Sequence, residues 1–150
     1  MEMGFLWQSG MRFLGKSKKN VIPGKMVRFY REMRDSGHMQ LLYSYANSFQ
    51  DYILYKGSNA MIAVDKPDRK DFISAFEIVT VPESYWLVVS QELGDRGLEV
   101  PKGILNAALE YISASDFKLD SNLPMIDKFP AGPPPHEQLI SFMIPVKWAV

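Results

Sequence analysis

The side chains best suited to chemistry lie toward the C-terminal end, in Leu123-Pro-Met-Ile-Asp-Lys-Phe-Pro130 and Glu137-Gln-Leu-Ile-Ser-Phe-Met-Ile-Pro-Val-Lys147. Both segments read as strands. Between them, Pro130-Ala-Gly-Pro-Pro-Pro-His136 cannot continue a ladder, because proline has no backbone N–H to donate. Side chains alternate along a strand, so Met125, Asp127 and Phe129 share one face while Ile126 and Lys128 share the other. One face thus carries a carboxylate between a thioether and a ring. A carboxylate in apolar surroundings is costly and needs a partner, a proton or a ligand. A ligand cation would meet that need.

The elements that must position this face follow from the rest of the chain. Phe5 to Leu14 reads as a strand around Gly10, and Lys16-Ser-Lys-Lys-Asn20 as a solvated basic loop. Ile22, Met26, Phe29, Tyr30 and Met33 keep helical spacing, with Pro23 suited to the first turn and Gly37 to the stop. Met39 to Ala46 alternates as a strand, with Leu41, Tyr43 and Tyr45 on one face. Tyr52 to Lys56 is its expected hairpin partner, and Ala60 to Val64 prolongs that partner past a bulge at Gly57. Asp65 to Asp71 reads as a charged turn, and Phe72 to Val81 and Tyr85 to Gln91 as strands joined at Pro82-Glu-Ser84. Glu92-Leu-Gly-Asp-Arg-Gly97 is a loop of the wrong pattern to cradle a phosphate. A second helix runs from Pro101 to about Ala114, its inward stripe formed by Ile104, Ala107, Ala108, Tyr111 and Ile112. Asp116 to Asn122 is a polar connection into the last hairpin. The order predicts an α+β fold of two similar strand-helix-strand-strand halves, each of which would leave an apolar sheet face half covered.

Three segments, in order, resemble one family. An acidic residue, any residue, then an aromatic (Asp127-Lys-Phe129), followed by a turn and a strand with Ile144-Pro-Val-Lys147, is similar to the end of the effector-binding domain. That is the gyrase-inhibitor-like family, also found behind the DNA-binding domains of AraC-type and MerR-type regulators. Val81-Pro-Glu-Ser-Tyr-Trp-Leu-Val-Val89 resembles its proline loop, aromatic and aliphatic strand, and Gln50-Asp-Tyr-Ile-Leu-Tyr-Lys-Gly57 its Asp-Tyr strand ending in glycine. The resemblance spans roughly residues 20 to 147 and implies a pseudo-symmetric tandem of the two halves: one antiparallel sheet carrying two helices, with a ligand cleft between the halves.

What the resemblance implies for individual residues is specific. Asp127 stands where relatives usually carry a glutamate facing the ligand, one methylene longer. Phe129 stands where tyrosine is common. Relatives that hydrolyse cyclopropanoids use such a glutamate and tyrosine together, and phenylalanine lacks the hydroxyl donor. The pair therefore favours stacking and cation–π contact over turnover. Trp86 matches the aromatic beyond the proline loop and has the strongest π face for a cation, contributing about 0.5–2 kcal/mol. Tyr43 and Tyr45 are further candidate walls, with Tyr111 and Phe142 as lesser ones.

Composition removes other classes. Of the 150 residues 47% are hydrophobic and 23% charged, which suits one folded domain over 1–150 with a sizeable core. The 17 basic and 17 acidic side chains cancel, leaving no electrostatic footprint for direct nucleic-acid binding. With no cysteine there is no disulfide, thiolate metal site or cysteine nucleophile; His38 and His136, in predicted turns, fall short of the three or four converging ligands of a zinc site, and a haem would rest on one loop histidine. No cofactor is expected. Neither a secretory leader nor an apolar run of about 20 residues stands out, so a cytoplasmic protein that does not cross a membrane is expected.

The leading expectation is a stand-alone module that binds an amphipathic, cationic small molecule, for sensing or sequestration. With the whole length used by one domain, any regulation of transcription would pass through a partner regulator protein; a homodimer also stays open. Two alternatives stay open: hydrolysis of a reactive toxin with Asp127 as general base, and a protein contact that modulates gyrase.

Overall fold

Period-two alternation makes most of the strands, and tertiary packing decides the places where alternation misleads. The computed structural model describes residues 1–46, 48, 50–66, 75–92, 98–130 and 139–150. Among these are nine strands, all in one antiparallel sheet, and three helices, an α+β arrangement as expected.

The expected strand Phe5 to Leu14 is two strands, β1 (Glu2–Gln8) and β2 (Met11–Lys18), turning at Ser9 and Gly10. β2 runs on through part of the basic stretch read as loop. Helix α1 (Met26–Asp35) buries Met26, Phe29 and Met33 on one stripe. Gly37 then adopts a left-handed φ of 80°, open to glycine without a Cβ penalty, and a second short helix follows at once, α2 (His38–Tyr43). The expectation of a strand from Met39 to Ala46 is therefore corrected. Met39 and Leu42, three residues apart, both point into the core, a spacing that serves a helix.

β3 (Gln50–Lys56) consequently pairs in a hairpin with β4 (Asn59–Asp65). Gly57, read above as a bulge, is the hairpin turn, with φ of 63°. β5 (Glu77–Val81) and β6 (Ser84–Glu92) follow, joined at Pro82 and Glu83. α3 (Lys102–Ser113) is the helix expected after Pro101, with Ala108 and Ile112 buried. β7 (Phe117–Leu119) lies in the stretch read as a polar connection, ahead of β8 (Met125–Pro130) and β9 (Leu139–Trp148). The charged turn beyond Lys66, the start of the strand expected from Phe72, the glycine loop after Glu92 and the proline turn with His136 lie outside the described residues.

The sheet order is β1-β6-β9-β8-β3-β4-β2-β5, with β7 on β9. Its centre repeats. β2, the α1–α2 pair, β3 and β4 form one strand-helix-strand-strand unit, and β6, α3, β8 and β9 form another. The units meet at the β3–β8 pair.

Both helical segments cover the same sheet face. α1 and α2 bury Leu14, Ile53, Ile62 and Val64, while α3 packs on Leu87, Val89, Phe142 and Ile144. The opposite face carries Phe13, Leu54, Met61, Trp86, Ile126 and Met143, also buried although no helix belongs to that cluster. Two-residue links explain this: β1 to β2 and β5 to β6 each join one end of the strand order to the other, so the sheet must curl over this face. Close packing shows at Gly15, flanked by β4 and β5, where a Cβ would stand 2.2 Å from the carbonyl oxygen of Ile62. Only glycine fits there.

Candidate functional site

The seam between the two units carries a pair of buried carboxylates. In the β3–β8 register Ile53 faces Asp127 and Asp51 faces Phe129, so the two aspartates are diagonal neighbours on one face, with backbones about 7–8 Å apart. Phe142 of β9 lies directly across from Asp127 on its other side. Asp127 has 0% exposure and Asp51 8%. An ionised carboxylate loses its hydration when buried, so two on one seam are expensive to the fold.

Tyrosines close around them. Tyr43, at the end of α2, donates its hydroxyl to Asp51 Oδ2 at 3.0 Å. Asp51 Oδ1 is buried with no hydrogen-bond partner. Tyr55, on the same face of β3, donates to the backbone oxygen of Leu98 at 3.3 Å. Tyr30 comes from α1, and its hydroxyl is pushed well above the ordinary tyrosine range, first by burial and then by the negative charge of Asp51, with Tyr43, Tyr55 and Asp127 adding smaller contributions. The Tyr43 hydroxyl is also pushed up, by burial and then by Asp51. Burial raises the Asp51 carboxyl from 3.8 to about 6, against the opposing pull of the Tyr43 hydrogen bond. The group can therefore exchange a proton near neutrality.

A cavity of about 390 Å³ opens beside this cluster, with Asp51, Tyr30, Tyr43, Met39, Val27 and Leu98 in its wall. Arg31 and Arg34, both exposed on α1, form part of the same wall. The lining is mixed: Val27, Met39 and Leu98 are aliphatic, Tyr30 and Tyr43 aromatic, and Gln40, Asp51 and the two arginines polar or charged.

Among the residues singled out from sequence, Asp127, Phe129 and Phe142 lie side by side on the helix-covered face of the seam. Tyr43 reaches it from α2 through Asp51 rather than from a strand. Tyr45 is half-buried against the core under α1 and α2. Tyr111 does not join the seam. It is 44% exposed on α3, its ring 5.5 Å from that of Phe5 near the β1 edge. Trp86 does not join it either. Its register puts it on the inner face of the curl with Ile126 and Met143, fully buried, and its Nε1 has no hydrogen-bond partner. Parity is the reason: Leu87 and Val89 of β6 take the helix-covered face, so Trp86 must take the other. Sequence reasoning missed Asp51, Tyr30 and Tyr55. The alternation that singled out Asp127 also puts Asp51, Ile53 and Tyr55 on one face, so two of the three were within reach.

Among the described residues no group of histidine and carboxylate side chains is arranged to hold a metal ion, and no helix is long and apolar enough to cross a membrane. No protein-family model and no curated protein matches the sequence. Solved structures do match in shape. SAV2435 bound to tetraphenylphosphonium is similar over 98% of this chain and 94% of its own, with TM-score 0.70 and 17% identity. The C-terminal domain of EcmrR covers 99% and 98%, with TM-score 0.72 and 7% identity. A hydrolase from Listeria innocua covers 97% and 92%, with TM-score 0.57 and 10% identity. At these identities what the chain shares with all three is their fold.

Proposed function

We propose that this chain is a small-molecule-binding effector domain of the gyrase-inhibitor-like type, and that it takes organic cations at the seam between its halves. The observation that carries this reading is the wholly buried Asp127, held between Phe129 on its own strand and Phe142 across the register. A flat or propeller-shaped cation in the adjoining cavity would stack on Tyr30 and Tyr43, with Phe129 and Phe142 backing the carboxylate. Its charge would offset the seam carboxylates, at a site where few water molecules compete. The shared fold supports the reading, since one protein of this shape was solved with tetraphenylphosphonium and another is the C-terminal domain of EcmrR, a protein also solved in complex with DNA.

The test is a fluorescence titration with rhodamine, displaced by tetraphenylphosphonium, on wild type and Asp127→Asn. The variant keeps the shape and removes the charge. We expect its affinity to fall at least tenfold, about 1.4 kcal/mol, with the circular dichroism spectrum unchanged. Equal affinity in the two proteins would remove the carboxylate from the site.

The hydrolytic reading has one observation in its favour. Phe129 supplies no proton donor, but the Tyr43 hydroxyl stands 3.0 Å from Asp51 and restores an acid-and-hydroxyl pair to the seam. It requires turnover of a strained electrophile that disappears in Asp51→Asn.

A further inference from the structure

The seam has an acceptor that charge neutralisation alone leaves unused. Asp51 is more than nine-tenths buried, yet only one of its oxygens is satisfied, by Tyr43; Oδ1 accepts no hydrogen bond. A half-turn about χ2 only exchanges the two oxygens, so one acceptor stays open whichever oxygen Tyr43 binds. Asp51 stands in the wall of the 390 Å³ cavity, among Tyr30, Tyr43, Met39 and Leu98. Arg31 and Arg34 share that wall, but neither donates to Oδ1.

A donorless cation placed near Asp127 and the rings gains Coulombic and cation–π attraction but leaves this oxygen as it was. A cation with an N–H group can do more. Its N–H completes the second oxygen of Asp51 while its ring system lies among Tyr30, Tyr43 and Met39, which share the cavity wall with Asp51. Hydrogen bonds between charged partners are roughly twice as strong as neutral ones, and a site built around a buried acceptor discriminates against ligands that lack the donor.

We propose that Asp51 anchors an N–H donor of the ligand, so that this cleft prefers aromatic cations bearing protonated amine, amidine or guanidine groups over donorless phosphonium or quaternary ammonium ions. This rests on the cation-binding reading of the same seam and adds the ligand class and the residue that selects it.

The test compares two fluorescent dyes built on one tricyclic ring system, aminoacridine, which carries N–H groups, and N-methylacridinium, which carries none. Both are cationic at neutral pH. We expect wild type to bind aminoacridine about 10- to 100-fold more tightly than N-methylacridinium. In Asp51→Ala the two affinities should come within about twofold of each other. Tyr43→Phe, which leaves Asp51 in place and frees its second oxygen, should keep the gap or widen it. Equal affinity of both dyes for wild type overturns the inference while leaving cation binding intact, and this comparison needs no variant to fold. A gap that persists in Asp51→Ala overturns it too. If neither dye nor tetraphenylphosphonium binds, the cation reading and the inference fall together.

Discussion

Asp51 illustrates how one buried group can serve binding at a cost to the fold. Its carboxyl titrates at about 6 in the folded protein against an ordinary 3.8, because burial disfavours the ionised form. Below 3.8 both folded and unfolded chains hold the proton and the residue contributes nothing. As pH rises from there through about 6, the unfolded chain ionises first, so stability declines, by up to roughly 3 kcal/mol. The groups facing Asp51 do not cancel this trend. Tyr30 and Tyr43 have hydroxyls pushed upward and keep their protons throughout, Asp127 lies diagonally across the seam, and Arg31 and Arg34 are exposed in the cavity wall. Asp51→Asn is therefore expected to raise the urea midpoint at pH about 7.5 and to flatten the loss of stability between about 4 and 6. Urea melts at several pH values check this, and a variant with the wild-type pH profile would contradict it. The complementary expectation is that cation affinity rises with pH over the same interval, as the ionised carboxylate becomes populated.

At the scale of elements, strands were legible wherever alternation ran long enough to exclude other readings. Met125 to Phe129 is such a run, and the face shared by Met125, Asp127 and Phe129 is the face observed. The stretch from Met39 to Ala46 was not legible, because eight residues of mixed apolar and small polar character satisfy both periods at once. A six-residue helix has too little internal bonding to stand alone, so packing against α1 and the sheet decides its form. None of that packing is written in the local spacing. Leu42, with no exposed surface, is the main apolar anchor of α2, one residue before Tyr43. Leu42→Ala should cost about 2–5 kcal/mol and loosen α2. Because α2 carries Tyr43, cation affinity should weaken along with stability, although Leu42 itself is not in the cavity wall. Calorimetric melts paired with dye titration distinguish the cases: a destabilised variant with unchanged affinity would show that α2 does not hold the site together.

Across the whole molecule the decisive fact is which side of the sheet each ring faces, and sequence alone supplied only half of it. Alternation orders residues within a strand, but the absolute face of one strand relative to another depends on long-range pairing and on the curl imposed by the two-residue links. Trp86 and Asp127 were accordingly grouped together, and they lie on opposite sides of one sheet. Alternation alone puts Asp51, Ile53 and Tyr55 on one face of β3, but nothing local announces that β3 will pair with β8 and bring that face beside Asp127. The inner face therefore offers a control. Phenylalanine at position 86 fills most of the volume of the indole and deletes an N–H that has no partner, so Trp86→Phe should fold. If cations bind on the helix-covered face, its affinity for rhodamine should stay within about twofold of wild type, whereas Phe142→Ala, next to Asp127 in the register, should lose about tenfold. Should Trp86→Phe weaken binding as much as Phe142→Ala does, the cation enters the curl, and the seam carboxylates are structural rather than ligand-binding groups.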